Sequence, residues 1–374
     1  MATKWTPDKV SLLQVYINQG YTYLEVANKM GLSYDQIKHA IQRYNLTKEN
    51  NTDLIFTPDK KKLRKVDVDK LATLLGEKIY ENYKVVKLPV YKAKKSKAPR
   101  EEVSILDISD THIGAINQVF DSDKGKKVVT YNMDVFRKEL MTLEQSIADI
   151  HSILSNSYKL RHLYINVMGD IVTNDRIFPE QTFEIEKVVG LQVWDAVNYF
   201  TLFFNNLLRV YDKITVTCVV GNHGRSQSNF YNEVVENNFE YFVYKTWQKQ
   251  FADSKRIKIV VPDTRRYAYN ILNWRHLIEH GDLMRGSSDN YLEKQIKDLS
   301  LNMGGFDVFH FGHFHKLKER EIADKVIVKQ NGAWIPKDSY AYNKYKTYSV
   351  PKQQFFGCNS KRAETFSYKL DLRG

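Results

Sequence analysis

Side chains that can bind a metal ion follow five short β-type runs of the sequence, and a glycine lies within two residues of at least one side chain after each run. They are Asp110 with His112, Asp170, Asn222, His280, and His313 with His315. The end of a strand fixes a ligand on a rigid sheet, whereas the loop that follows stays open to substrate. Glycine beside a ligand lets the backbone turn sharply and approach a metal or a phosphate. The ordered set therefore predicts a metal centre built from five strand ends.

The order of these groups resembles the signature of the calcineurin-like metallophosphoesterase family, which runs DxH, GD, GNH, H and GHxH along the chain. The resemblance covers about residues 103–335. It implies an α/β fold, a four-layer α/β/β/α sandwich, with two metal ions in its centre. On this resemblance one ion is held by Asp110, His112, Asp170 and His315, and the other by Asp170, Asn222, His280 and His313. Asp170 then bridges the two ions.

The donor types indicate which chemistry such a centre performs. Mixed oxygen and imidazole donors suit Mn²⁺, Fe²⁺ or Zn²⁺ better than Ca²⁺ or Mg²⁺ alone, and we expect two divalent ions of Mn²⁺. Such a pair lowers the pKa of bound water and neutralises a phosphate, so that no protein nucleophile is required.

Two residues beside Asn222 are expected to assist this chemistry. His223 resembles the catalytic histidine of the family, which protonates the leaving oxygen or stabilises charge in the transition state. Arg225 is a candidate phosphate clamp, because a guanidinium binds phosphate oxygens in a bidentate manner. A surface ion pair is the alternative role for Arg225.

Two positions depart from the family pattern. Family members usually carry an acidic residue after GNH, where this chain has Gly224. The third residue after the bridging aspartate is acidic in protein phosphatases of this fold and histidine in some repair nucleases, and here it is Thr173. We therefore expect the His223 imidazole to be supported differently, which weakens a protein-phosphatase interpretation. The resemblance to the DNA repair nuclease-like branch covers the catalytic body alone and leaves the mode of strand cleavage open.

The elements that must position these side chains alternate between strand and helix patterns from Val103 onward. Strands are predicted at Val103–Ile108, His162–Met168, Ile214–Val220, Ile257–Val261 and Asp307–Phe311, and helices at Met133–Ile150, Phe183–Val210 and Tyr231–Phe251. Such alternation indicates an α/β domain. Further antiparallel strands are predicted within residues 266–279, 319–328 and 364–372. Within the strands, Asp107 could orient a ligand, although a surface position is favoured, and His310 is expected to support a ligand or the core.

A second resemblance concerns the N-terminal residues. Residues 23–42 resemble the helix-turn-helix motif of DNA-binding proteins, with Ala27 at the tight helix contact, Gly31 at the turn and Ile37 in the core. Three short helices are predicted, the third starting after an N-cap at Ser33. On this resemblance, helix 34–44 enters the major groove of DNA and presents Gln36, Lys38, His39, Gln42 and Arg43. A three-helix packing domain that binds no nucleic acid is the alternative.

The distribution of charge supports a nucleic-acid partner. The net charge is +12, and residues 1–100 carry 20 Lys and Arg against 10 Asp and Glu. A basic segment attached to a nearly neutral body favours DNA, because each neutralised phosphate releases counterions. We expect a helix-turn-helix domain at 1–48, a basic linker with an embedded helix at 49–100, and a catalytic domain at 101–374. The linker helix could equally pack on the body or self-associate, and a homo-oligomer or a replication or repair partner stays open.

The remaining features exclude several classes of protein. No apolar run approaches the ~20 residues that a bilayer span needs, and the two cysteines, Cys218 and Cys358, form no CxxC pair. We expect a cytoplasmic protein without a membrane partner. The aromatic and basic stretch Tyr340–Tyr348 could stack on a nucleic-acid strand or pack on the body. The sequence favours a phosphodiesterase that acts on DNA, an endonuclease or an exonuclease. A phosphatase or nucleotide hydrolase of the same fold, and a non-catalytic DNA-binding scaffold, are the alternatives.

Overall fold

The computed structural model describes residues 5, 7–18, 21–44, 46, 100–121, 124–178, 183–227, 234–323, 325–336 and 350–373. The chain divides into two compact units, residues 1–64 and 65–374. The division lies within the predicted linker. The linker helix with its flanking basic runs and the tyrosine-rich stretch 340–348 lie outside the described residues.

The N-terminal unit contains three helices, α1 (Pro7–Asn18), α2 (Tyr23–Met30) and α3 (Tyr34–Arg43). Thr22 and Ser33 each form a capping box with the residue three positions later, which starts α2 and α3. Gly31, at φ 64°, ends α2 in the left-handed conformation that glycine adopts without strain. The core consists of Leu13, Val26, Ala27, Ile37, Ala40 and Ile41. The predicted second and third helices are thus confirmed.

The larger unit contains a six-stranded sheet in the order β13-β12-β1-β4-β5-β6. Its strands are β1 (Arg100–Ile108), β4 (Tyr158–Met168), β5 (Lys213–Val219), β6 (Ile257–Val260), β12 (Lys352–Asn359) and β13 (Arg362–Asp371). The strands β1, β4, β5 and β6 are parallel, so their carboxyl ends meet at one edge. The strand β12 pairs antiparallel with β1, and β13 pairs antiparallel with β12.

A second sheet has five strands in the order β10-β11-β9-β8-β7. These are β7 (Arg266–Ile271), β8 (Trp274–Glu279), β9 (Val308–Phe311), β10 (Lys318–Ile322) and β11 (Val326–Gln330). The central strands β8 and β9 are parallel, and they end side by side. A separate hairpin pairs β2 (Asn117–Asp121) with β3 (Lys126–Tyr131).

The two sheets pack face to face through apolar side chains, and helices pack on their outer faces. Ile105 and Phe356 of the first sheet contact Ile271 of the second. The helices α4 (Met133–Leu154), α5 (Val189–Leu207) and α6 (Phe239–Gln250) share one core with β1, β4 and β5. On the second sheet, α7 (Asp289–Met303) packs Leu292 and Ile296 against β8 and β9. The rigid body therefore holds the ends of both sheets in place.

The predicted mixed α/β class is confirmed, and the differences have local causes. The helix predicted from Phe183 begins at Val189, because residues 184–186 make backbone hydrogen bonds to residues 114–116 instead. The helix predicted from residue 231 begins at Phe239, after a short 3₁₀ turn, where the Asn238 side chain caps it. The strand β12, the β2–β3 hairpin and α7 were not predicted. No helix among the described residues is long and apolar enough to cross a lipid bilayer.

Candidate metal centre

The structure brings all seven predicted metal ligands to one place, where the two sheets end. Asp110, Asp170 and Asn222 follow β1, β4 and β5 of the first sheet, whereas His280 and His313 follow β8 and β9 of the second. Three groups of side chains have their ligand atoms within 4.8 Å of one another. These are Asp110 with His112 and His315, Asp170 with His112 and His223, and Asp170 with His280 and His313. The strand ends therefore assemble one cluster from two sheets.

One half of the cluster is centred on Asp110. The Nε2 atoms of His112 and His315 lie 3.2 Å apart, and His315 Nε2 lies 3.3 Å from Asp110 Oδ1. Asp110 also accepts the backbone N–H of His313 with both carboxylate oxygens at 3.1 Å. A carboxylate and two imidazole nitrogens thus point at a common position.

The other half is centred on His280. Its Nδ1 lies 2.8 Å from the carbonyl oxygen of Met168, which can only accept, so Nδ1 carries a proton, and in the neutral ring Nε2 presents a lone pair. His280 Nε2 lies 3.0 Å from Asp170 Oδ2, 3.0 Å from Asn222 Oδ1 and 3.2 Å from His313 Nδ1. Asp170 belongs to groups in both halves, as a bridging ligand would.

The backbone at the centre is strained where the ligands are. The non-glycine residues at positive φ include Asp110 at 54°, His112 at 48°, Asp170 at 52°, His313 at 66° and His315 at 55°. Each such conformation costs a side-chain-bearing residue about 1 kcal/mol or more, and it persists only where the surrounding fold imposes it. Five of the seven candidate ligands share this conformation, and conformations of this kind cluster at active sites and ligand clamps.

Two glycines are required because the backbone passes close to the carboxylates. A Cβ at Gly221 would lie 2.2 Å from Asp170 Oδ1, and one at Gly312 would lie 2.4 Å from Asp110 Oδ2. These are distances that real Cβ atoms do not show, so any side chain at either position would displace a ligand. The glycines of the GNH and GHxH motifs therefore make room for the two aspartates.

The electrostatics of the cluster fit divalent cations. Asp110 and Asp170 are 0% and 1% exposed, and their ion-pair partners within the described residues are histidines. Burial disfavours the charge of Asp170, yet the neighbouring His280 and His223 outweigh it and hold its pKa well below the ordinary value. Buried carboxylates that stay ionised need a compensating charge. Divalent cations coordinated by these oxygens and imidazoles would supply it.

The histidines that face the aspartates differ in charge. Burial, followed by the charge of His223, lowers the pKa of His112 well below its usual value. Burial, followed by the charge of His280, lowers the pKa of His313 to about 4. Neutral imidazole is the form that ligates metals. His280 differs from His112 and His313. Burial opposes the charge of its imidazole, but the charge of Asp170 outweighs burial and raises the pKa of His280.

His223 is held by the loop that follows Asp170. Its Nδ1 lies 2.9 Å from the carbonyl oxygen of Thr173, and its backbone N–H donates to Asp170 Oδ1 at 2.8 Å. The next residue, Asn174, donates its side-chain N–H groups to the carbonyl oxygens of His223 at 2.6 Å and Arg225 at 2.8 Å. The position that is acidic in protein phosphatases thus supports the imidazole through its backbone carbonyl. Sequence analysis had missed Asn174.

A buried glutamate from α6 is a second residue that sequence analysis had missed. Glu240 is 0% exposed and accepts the backbone N–H groups of Ile171 at 2.6 Å and Gly221 at 2.7 Å. Burial and the charge of Asp170 raise its pKa to about 8. A Cβ at Gly224 would lie 2.6 Å from Cγ of Glu240. No side chain therefore fits at Gly224, and a carboxyl group from α6 joins the two loops.

Arg225 is buried rather than exposed. It is 4% exposed, and its Nε donates to the carbonyl oxygen of Asn222 at 2.8 Å. This burial does not fit the surface position that the alternative of an ion pair assumed. The guanidinium is held against the loop that carries the ligand Asn222, and its contact with a phosphate stays a prediction.

The surface position that was favoured for Asp107 is wrong. Asp107 is 0% exposed, and its carboxylate lies 2.8 Å from His310 Nδ1 and accepts an N–H of Asn166 at 2.7 Å. His310 in turn lies 2.9 Å from His276. These residues form a polar layer between the sheets, beneath the cluster. His310 supports the core, as expected.

The predicted DNA-contacting side chains lie on α3 in the N-terminal unit. Lys38, His39, Gln42 and Arg43 are exposed, opposite the buried Ile37, Ala40 and Ile41. Gln36 differs, because its Oε1 accepts the backbone N–H of Ser33 at 2.7 Å and caps the helix. Four of the five side chains are thus available to a partner, and Gln36 has a local structural role.

Comparisons with known proteins identify distant structural neighbours only. No protein-family model matches the chain, and no curated protein matches its sequence. Vps29 of Entamoeba histolytica complexed with Zn²⁺ is 10% identical, with a TM-score of 0.32, over 72% of this chain and 99% of that chain. A predicted phosphoesterase of Streptococcus pneumoniae is 10% identical, with a TM-score of 0.30, over 72% and 98%. A 5'-nucleotidase of Candida albicans is 13% identical, with a TM-score of 0.29, over 69% and 47%. Because these TM-scores are below 0.5, the neighbours carry no argument about function.

Proposed function

We propose that this chain is a dinuclear-metal-dependent phosphodiesterase of the calcineurin-like metallophosphoesterase family that cleaves DNA. The observation that carries the proposal is the cluster of Asp110, His112, Asn222, His280, His313 and His315 around the shared carboxylate of Asp170. Two sheets joined face to face, with helices on both outer faces, support the four-layer α/β/β/α sandwich of that family.

The residues present fit a pair of divalent metal ions. Asp110, His112, Asp170 and His315 would hold one ion, and Asp170, Asn222, His280 and His313 the other. When bound, the ions supply an activated water and neutralise the charge of the phosphate. The mixture of carboxylate, amide and imidazole donors favours Mn²⁺, with Fe²⁺ and Zn²⁺ as the other candidates.

The protein's own contribution to bond cleavage is assigned to His223. A carbonyl oxygen only accepts hydrogen bonds, so the contact with Thr173 places a proton on Nδ1 and directs Nε2 to the centre, 3.9 Å from Asp170 Oδ2. In its protonated form, Nε2 donates a proton to the oxygen of the leaving group. The backbone contact between the His223 N–H and Asp170 keeps this imidazole beside the ligands.

The choice of DNA as substrate rests on the N-terminal unit. Its third helix exposes Lys38 and Arg43, and the first 100 residues, which include this unit, carry most of the net charge. We propose that the three helices form a helix-turn-helix module that recruits the catalytic domain to DNA, in the manner of the DNA repair nuclease-like branch. Both cysteines are free and buried, which suits a cytoplasmic location.

The test is hydrolysis by the full chain with Mn²⁺ on labelled single-stranded, duplex and circular DNA, beside mononucleotides and a phosphopeptide. We expect DNA cleavage that Asp170→Asn reduces by at least about 100-fold, because the shared ligand is lost. Asp253→Asn, an exposed aspartate, should retain activity.

The other outcomes separate the alternatives. Turnover of mononucleotides or the phosphopeptide without DNA cleavage would identify a phosphatase or nucleotide hydrolase. Elemental analysis that finds no metal in the purified chain, together with DNA binding, would identify a non-catalytic scaffold.

A further inference from the structure

An exposed aromatic ring lies against the proposed proton donor. Phe178 is 44% exposed, and the centroid of its ring lies 5.3 Å from that of His223, with the planes inclined by 58°. His223 in turn lies edge-on to the ligand His112, with centroids 4.6 Å apart. The three rings thus form a path from the ligands to an apolar face in contact with solvent.

The backbone that presents Phe178 is fixed on its N-terminal side. The preceding residue, Ile177, is 2% exposed and anchors the chain in the core. Asp175 Oδ2 accepts the N–H of Val189 at the start of α5 at 3.0 Å, and the N–H of Asn174 donates to a buried glutamine of α5 at 2.7 Å. The ring is therefore presented by an anchored segment, which lowers the entropic cost of binding a partner on it.

The position of this ring determines what it can contact. If His223 protonates the leaving oxygen, the leaving group of the substrate lies on the His223 side of the centre, next to Phe178. In a nucleic acid that group is a nucleoside, whose flat base stacks on aromatic side chains irrespective of its sequence. The leaving side chain of a phosphoserine has no such face.

We propose that Phe178 stacks on the nucleobase of the leaving nucleotide and thereby selects nucleic acid over other phosphate esters. This inference rests on the proposed phosphodiesterase function and narrows its substrate class. Phe178 acts on specificity, whereas the ligands and His223 act on the bond itself.

The experiment uses the full-length protein with Mn²⁺ and three substrates, the dinucleotide TpT and its two analogues that each lack one base. Mass spectrometry of the products identifies which nucleoside leaves. We expect the wild type to lose between about 5-fold and 100-fold in kcat/KM when the leaving base is absent, the range that one base–aromatic stack supports. Phe178→Ala should reduce kcat/KM on TpT by the same factor. On the analogue that lacks the leaving base, the variant should keep the wild-type kcat/KM. Phe178→Trp should retain the preference.

Matched controls make the result decisive. Phe120→Ala removes another exposed phenylalanine, 67% exposed on the β2–β3 hairpin, and should not change the preference for the base. If Phe178→Ala slows TpT and the analogue equally, the ring only supports His223 and the inference is overturned. Unchanged rates on both substrates would overturn it as well, with the phosphodiesterase function intact. A wild type that cleaves none of the three diesters would refute the proposed function itself.

Discussion

At the residue scale, the candidate metal ligands, which the structure brings together, could be picked out because they follow strands and lie near glycines. Asn174 and Glu240 could not, because they belong to no motif and act only through contacts that the fold creates. Asn174 reaches His223 across 49 residues of sequence, and Glu240 reaches Ile171 across 69. Side chains that position a ligand become visible only when the loops they join are seen together.

Replacing Asn174 tests whether the position of His223 sets the rate. Asn174 adopts φ 70°, so Asn174→Gly keeps the backbone conformation and removes the two hydrogen bonds to the His223 loop. We expect kcat on a small phosphodiester to fall roughly 10- to 100-fold, because a displaced catalytic group costs about this much. Metal content should not change, which elemental analysis checks.

The turn between β7 and β8 offers a matched control. Leu272 also adopts a positive φ, 54°, and is 47% exposed, so Leu272→Gly makes the same backbone change at a surface turn. It should retain wild-type kcat. Loss of metal by the Asn174 variant, or full activity in it, would contradict the positioning role.

At the scale of elements, strands with regular apolar patterns were predicted and β12 was not. Its sequence carries two adjacent buried glutamines, Gln353 and Gln354, which interrupt the pattern. Gln353 Oε1 accepts the N–H of Ser109 at 3.1 Å and an N–H of Asn331 at 2.8 Å, so its polarity is satisfied by residues from other strands. Local sequence could not reveal those partners.

The contact between α4 and the end of β13 predicts how stability depends on pH. Glu139 on α4 is 2% exposed and accepts a hydrogen bond from Arg373 Nε at 2.6 Å. Burial raises its pKa to about 7 from 4.5, although Arg373 opposes the shift. Between these pH values the folded chain keeps a proton that the unfolded chain releases. Glu139 therefore contributes its whole share to the free energy of unfolding below pH 4.5, and this contribution is lost as the pH rises to about 7.

Glu139→Gln cannot titrate and removes this dependence. We expect the stability of the variant relative to the wild type to increase from pH 5 to pH 8 by up to roughly 3 kcal/mol, since one pKa unit corresponds to about 1.4 kcal/mol. Urea denaturation at the two pH values measures it. If the variant and the wild type differ in stability by the same amount at pH 5 and pH 8, the buried carboxyl group does not cause the pH dependence.

At the scale of the whole molecule, the candidate metal ligands and most of the excess positive charge lie in different parts of the sequence. The ligand cluster lies between Asp110 and His315, whereas the first 100 residues, which span the N-terminal unit and the start of the larger one, hold 20 of the 56 Lys and Arg with only 10 of the 44 Asp and Glu. Composition alone revealed this division, because net charge is additive along a sequence. Composition does not reveal which residues a partner contacts, because this depends on which face of a helix is exposed.

Replacing Lys38 and Arg43 together by alanine tests the division. We expect affinity for DNA to fall by roughly 10- to 100-fold at moderate salt, and the slope of log affinity against log salt to fall by up to about 2. Turnover of a small chromogenic phosphodiester should stay at the wild-type value. The measurements are fluorescence anisotropy with labelled duplex DNA over a salt series, and steady-state kinetics.

The control removes the same charge from the larger unit. Lys255 and Lys258 are exposed, and their double alanine variant should bind DNA with nearly wild-type affinity. Equal losses in both double variants would indicate a general charge effect rather than recognition by α3.

The pairing of β12 with β1 also bears on the order in which the chain can assemble the ligand cluster during its synthesis. β1 carries Asp110 at its end, and its register with β12 joins Val103 to Cys358, while Gln353 holds the backbone of Ser109. A ribosome must therefore translate more than 240 further residues after β1 before that strand receives its antiparallel neighbour. On the function proposed above, a nascent chain would thus lack a completed hydrolytic centre until translation has passed β12.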